Sequence, residues 1–419
     1  MSFNVNVIKI AWFLAIRQLK RASVWSNALI VTIMVLTFLN LVVVSGLLVG
    51  LIEGSVYAIR TYHTGDLFIS AHKDKNSIEN SQNIVSNLLL LDGVENVTPR
   101  YMTSGTVESN YKDRTDFTTE PETVGTIISG IDPVKENSVT GMSSLIVEGA
   151  YLEPNDFDEV LVGASLLRKY LPIESPGFGL LDDVEIGTRI RLKMGDTTRE
   201  VRVKGILKSK VDEIDRRIFM VDSQLRSMVA RSDSNYSEIA VSLRDDVSPT
   251  AIKETLIRNG FENDGKIQTY EDAQPKFLLD IKNTFALLGN IISSIGLVVA
   301  SITIFIVIFI NAITRRKYIG IMKGIGVNAT AIEMSYVFQS LIYALVGSII
   351  GIFVVYGLLV PFFDKNPINF PFSDGILVAP IVGTSIRIAL LIFTTVIAGY
   401  IPARIVVKKN TLNSILGRE

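Results

Sequence analysis

The sequence predicts an α-helical membrane protein with four transmembrane helices and a large mixed α/β (α+β) extracytoplasmic domain of two lobes. Three observations carry that expectation. The 419 residues are 48% hydrophobic, with a mean hydropathy of +0.37, too apolar for an ordinary soluble chain. Three long runs without charge, and a fourth interrupted only by Arg387, are each long enough to cross ~30 Å of hydrocarbon. Between the first two runs, residues 53–282 hold 27 Lys and Arg against 38 Asp and Glu, a net of −11. Lys and Arg beside a span favour the cytoplasmic side, so the basic flanks lie inside and the acidic middle outside.

Residues 1–26 carry Lys9, Arg17, Lys20 and Arg21 and no acid. Ile8, Trp12, Ala15 and Leu19 fall on one helical face, as in an amphipathic helix lying in the inner interface. The uncharged run 22–52 is 31 residues long, well beyond a signal-peptide core of ~7–15 residues, and reads as an uncleaved first span over 27–52.

In the outer domain, residues 65–70 begin as a strand and 78–94 read as a helix. Residues 94–109 alternate as a strand. Residues 123–131 form an apolar strand stopped by Asp132 and Pro133. Residues 159–172 read as a strand, a glycine turn and a short helix. Alternation on both sides of Gly195-Asp196 marks a β-hairpin. A strand follows at 237–246, then a helix from an N-cap at Ser248 to a stop at Gly260. Residues 62–99 are expected to fold with 237–270 as an α/β lobe, with 100–236 as a β-rich insertion.

The second span is expected at 283–314, at ~1.5 Å per residue ~48 Å long. Residues 315–333 form a short basic loop broken by Gly320, Gly324 and Gly326. The third span covers 334–363, a proline-rich outer loop 364–381, the fourth span 382–401 and a basic tail 402–419, with Arg404, Lys408, Lys409 and Arg418. Arg387, inside the fourth span, is expected to snorkel to the outer interface.

Bulk charge of −1 gives no reason to expect nucleic acid. Without cysteine there are no disulfides or thiolate metal sites. His63 and His72 lack further ligands at a metal-binding spacing and read as surface residues. Residues 260–267 match the skeleton of a phosphate loop, but Ile267 stands where Ser or Thr holds magnesium. The acid pairs Asp182-Asp183, Asp245-Asp246 and Glu271-Asp272 lie in turn-like stretches and read as solvated charge. No catalytic constellation is present, so a non-enzymatic chain is expected.

This plan resembles the FtsX-like, MacB-type permeases of ABC transporters, a group that includes lipoprotein-releasing permeases. The segment RRKYIGIMKGIGVNATAI, Arg315–Ile332, is similar to the family's cytoplasmic loop. Arg315, Arg316, Ile319, Gly320, Lys323 and Gly326 match it. Tyr318 stands where glutamate is usual, and Gly324 where alanine is common. Pro402, Ala403 and Arg404 resemble the family's closing tail motif. The resemblance implies a separate cytoplasmic ABC ATPase that holds ATP and magnesium, with no cofactor on this chain. It also implies a second permease copy, as homodimer or heterodimer, contact with membrane lipid, and a membrane-fusion or periplasmic protein as a further class of partner. By that resemblance the chain is a mechanotransmission permease subunit in the plasma membrane. The coupling residues would be Arg315, Arg316, Tyr318, Ile319, Gly320, Met322, Lys323, Gly324 and Gly326, with 319–326 as a short helix. A membrane-anchored extracytoplasmic sensor or interaction protein is the alternative, although the cytoplasmic segments are short for an output domain.

Overall fold

The computed structural model describes residues 5–111, 122–171, 179–370, 373–375 and 377–408. The tail cations Lys409 and Arg418 lie outside the described residues. Two compact units form. One comprises residues up to Glu53, Leu279–Asn369 and those from Asp374 on; the other comprises Gly54–Leu278 with Phe370–Ser373.

The first unit is helical. Helix Val5–Arg21 is followed by four helical runs apolar enough to cross a membrane: Val24–Thr64, Lys276–Thr314, Ala329–Lys365 and Ile381–Val407. The first two, of 41 and 39 residues, extend past the uncharged stretches 27–52 and 283–314. Charges such as Glu53 and Lys282 mark the end of the hydrocarbon but do not stop a helix; here the two form an ion pair at 2.6 Å. At ~1.5 Å per residue each run reaches ~60 Å. The fourth continues through Pro402, which the sequence places in the tail.

Interhelical contacts rest on small residues and a few polar groups. Gly347 and Gly351, one turn apart, face the first span so closely that an added Cβ would lie 2.4 Å from Met34 Cβ and 2.2 Å from the Phe38 ring. Small residues at such spacing let membrane helices approach where no hydrophobic drive between helices exists. Tyr343 donates to Asn27 Oδ1 at 2.6 Å, and Asn27 donates to the carbonyl of Leu19 at 3.0 Å. Arg387 does more than snorkel: its Nη2 donates to Ser45 Oγ at 2.6 Å, tying the fourth span to the first.

Among the described residues, ten strands form the main sheet of the second unit: β1 (Leu67–Ser70), β2 (Val94–Ser109), β3 (Glu122–Ile131), β4 (Ile146–Gly149), β5 (Glu159–Gly163), β6 (Arg189–Met194), β7 (Thr197–Leu207), β8 (Arg217–Val221), β9 (Glu238–Leu243) and β10 (Lys266–Thr269). The first half of β2, with β9, β1 and β10, makes an antiparallel sheet. Ile84 and Leu88 from helix Ser81–Leu90 and Ile252 and Leu256 from helix Pro249–Arg258 share its core. The second half of β2 pairs with β3, and the ladder then runs β3–β8–β5–β7–β6. Strand β6 returns to β2 through Thr106–Glu108, closing a ring of six strands. Closure removes open edges, and residues such as Val107, Ile128, Val162, Ile190, Val203 and Ile218 share its apolar core.

Several local expectations change. Asp132 and Pro133 do not merely stop β3. Asp132 Oδ1 accepts from the backbone N–H of Val134 and Lys135 at 3.1 and 3.2 Å and caps helix Pro133–Thr140. Pro at the first helical position has no N–H to leave unsatisfied. Ser248 precedes helix Pro249–Arg258 without a side-chain capping bond. Residues 164–166 form only one 3-10 turn. His63 is buried rather than on the surface, its Nδ1 3.2 Å from Arg100 Nη1. Helical continuation beyond the first span carries it into a polar core that its local sequence does not reveal.

Candidate functional site

The segment after the second span is built as a rigid element. The long helix ends at Thr314, and Arg315, at φ −101 and ψ 10, breaks it. A second helix covers Arg316–Gly324. Gly326 ends it in the left-handed region at φ +92. Its N–H donates to the Lys323 carbonyl at 3.1 Å, and Val327 N–H donates to the Met322 carbonyl at 2.9 Å. These are the paired bonds of a Schellman stop, which favours glycine because L side chains crowd the backbone there. Asn328 then caps the third span, its side chain accepting from Thr330 N–H at 2.9 Å.

The short helix has two unlike faces. Ile319 and Gly320 are buried, Met322 is half-buried, and Lys323 Nζ donates to the Val407 carbonyl at 2.9 Å, joining the helix to the end of the fourth span. On the other side Tyr318, Ile321 and Ile325 are 67%, 43% and 76% exposed. Their i, i+3, i+7 spacing makes one apolar stripe. Arg316 is half-buried and engaged with other residues. Gly324 is exposed, and a Cβ there would meet nothing within 4 Å, so no close approach within this chain requires glycine at that position. Of the tail motif, Pro402 and Ala403 are buried in the fourth helix and Arg404 is exposed, its guanidinium 5.7 Å from the Tyr400 ring centre.

Helix Val5–Arg21 joins this region. Ala11 and Ala15 are fully buried, and Trp12 meets Phe338 of the third span edge-to-face at 5.5 Å. A groove of about 350 Å³ lies between the two short helices, lined by Leu14, Arg17, Gln18, Arg21, Arg315, Tyr318, Ile319, Met322 and Tyr336. The sequence reading placed Arg315, Tyr318, Ile319 and Met322 together but left out Arg17, Gln18 and Arg21. The signal for the two arginines is their i, i+4 spacing, which puts them on one helical face.

An extracytoplasmic α/β domain carried on four spans, with an ordered cytoplasmic helix after the second, defines a multi-pass membrane permease. The profile of the MacB-like periplasmic core domain matches residues 28–258, and that of the FtsX-like permease C-terminal region matches residues 290–411. The chain belongs to the FtsX/MacB-type permeases of ABC transporters. An uncharacterised ABC transporter permease of Methanocaldococcus jannaschii is 24% identical over 279 residues, 65% of either chain. The macrolide export ATP-binding/permease protein MacB of Campylobacter jejuni is 27% identical over 189 residues, 44% of this chain and only 28% of that protein. Among solved structures, the periplasmic region of MacB from Actinobacillus actinomycetemcomitans matches at 16% identity with a TM-score of 0.35. That match covers 51% of this chain and 92% of the solved one.

Proposed function

We propose that this chain is the non-catalytic permease subunit of a mechanotransmission ABC transporter. A separate cytoplasmic ATPase, holding ATP and magnesium, docks on the Tyr318–Ile321–Ile325 stripe. Its closure displaces the Arg316–Gly324 helix, and the long first and second spans carry that displacement outward to export or release a substrate at the outer face. Two permease copies would straddle an ATPase dimer, and a membrane-fusion or periplasmic protein would extend the path.

The observation that carries this reading is the split helix. One face is fixed to its own unit through Ile319 and the Lys323–Val407 bond, while three large apolar side chains stand exposed on the other. An element that transmits force needs both a firm base and an open contact. Ile321→Asp with Ile325→Asp alters only the open contact. Co-purification of the partner ATPase should fall to background while membrane insertion stays normal. Full recruitment by the double variant would overturn the docking assignment.

A further inference from the structure

The groove beside that helix presents a different chemistry from the rest of its exposed stripe. Arg17, Arg21 and Arg315 line it, and among the described residues no acid does. Among the described residues none of the three pairs with a carboxylate. Tyr336, at 1% exposure, has a hydroxyl with no hydrogen-bond partner, and Gln18 Oε1 is likewise buried and unpartnered. An unmatched buried hydroxyl costs free energy unless a ligand completes it. Beside the groove, helix Val5–Arg21 exposes Ile8, Ile10, Trp12 and Phe13 at 39%, 44%, 45% and 59%. A short amphipathic helix with an apolar face and arginines at its end lies in the inner leaflet's headgroup zone.

We propose that this groove binds the phosphate of an anionic inner-leaflet phospholipid. The three guanidinium groups hold the phosphate oxygens, Tyr336 donates to one of them, and the acyl chains lie along the exposed apolar residues of helix Val5–Arg21. Guanidinium groups suit phosphate because their fixed N–H fork matches two oxygens at once. Basic pockets between helices on the cytoplasmic side are suited to such headgroups. The occupant is a lipid rather than an acidic protein segment, because apolar surface continues from the cationic end of the groove. The bound lipid would brace the Arg316–Gly324 helix on the side of Ile319 and Met322, meeting its exposed stripe only at Tyr318. Ile321 and Ile325 lie outside the groove lining, so this site stands whether or not an ATPase docks on those two residues.

The test is native mass spectrometry of the full-length chain in neutral detergent, titrated with phosphatidylglycerol or phosphatidylcholine. One phosphatidylglycerol should be retained, with about tenfold preference over phosphatidylcholine. R17Q/R21Q/R315Q should reduce retention by about tenfold, whereas K20Q/K317Q/K408Q, which removes as many cytoplasmic cations outside the groove, should change it by less than about twofold. Tyr336→Phe keeps the ring and should weaken retention by a few-fold, roughly the loss of one donor, at an unchanged unfolding temperature. Equal loss in both triple variants would mean diffuse surface attraction and would overturn the site. Displacement of the lipid by equimolar inorganic phosphate would make it a free-anion site and overturn the lipid assignment. Unchanged lipid retention in R17Q/R21Q/R315Q with loss of the ATPase would make the groove a protein dock instead.

Discussion

Arg100 and Glu136 face each other with no exposure of either side chain, Arg100 Nη2 donating to Glu136 Oε1 at 2.7 Å and Nε to Oε2 at 2.9 Å. Arg100 is the β2 residue at which pairing passes from β9 to β3. Its Nη1 also lies 3.4 Å from Glu238 Oε2, and Glu238 receives Arg217 in a fork at 2.9 and 3.0 Å. Thr98 and Thr140 complete the Glu136 carboxylate at 3.0 and 3.1 Å. Two acids and two guanidinium groups thus balance at the junction between the open sheet and the closed ring.

Removing one member should be costly, because it strands a buried charge. Arg100→Met is expected to destabilise the outer domain by about 3–5 kcal/mol. The combined Arg100→Met/Glu136→Leu variant should recover much of that loss. Thermal unfolding of both proteins, followed by circular dichroism, measures the difference.

The same cluster sets an acid limit. Burial raises the Glu238 carboxyl, but the charges of Arg217 and Arg100 outweigh burial and hold it far below the ordinary 4.5. A depressed carboxylate binds fewer protons folded than unfolded, so its stabilisation is complete above the unfolded value and drains as pH falls below it. Buried His63, pushed down to about 3 mainly by burial, begins the loss below about pH 6.5, and the unfolding temperature of the outer domain should fall more steeply below about pH 4.5, where the Glu238 contribution drains as well. Glu238→Gln should start lower and decline less steeply over the same range.

Packing between the first and third spans gives a sharper test. An alanine at Gly347 would place its Cβ 2.4 Å from Met34 Cβ, whereas at Gly357 the nearest contact is an ordinary 3.7 Å from the Phe353 ring. Gly347→Ala should lower stability in detergent by about 1–3 kcal/mol, as overpacking does, and Gly357→Ala should not. Unfolding temperatures of the two variants decide this.

The helix stop at Gly326 makes a local prediction. Gly326→Ala forces a side chain into a left-handed conformation and should cost about 1–2 kcal/mol. The loss should appear as faster amide exchange across residues 316–327, with unchanged exchange in the outer domain.

Much of the plan was legible because it rests on local patterns. Span number and sidedness follow from uncharged length and flanking cations, and the β6–β7 hairpin from alternation around Gly195-Asp196. The helix after the second span was readable from its basic, glycine-punctuated sequence together with the family resemblance, although it starts at Arg316 rather than Ile319. The contact made by Gly347 and Gly351 has a local signal as well, two glycines four apart in an apolar helix. His63 was misread because its burial depends on residues distant in the chain.

The sequence by itself determined a four-span permease with basic ends inside and a large acidic α/β domain outside. Hydrophobic length and charge placement are properties of short segments, and the bilayer sorts them directly. Only the tertiary structure decided that six strands close into a ring, that Arg100 meets Glu136 and Glu238, and that Arg17 and Arg21 share a groove with Arg315 and Tyr336. Those arrangements join residues tens to hundreds of positions apart. No local periodicity encodes such pairings; they are fixed by strand register in the outer unit and by helix packing in the membrane unit.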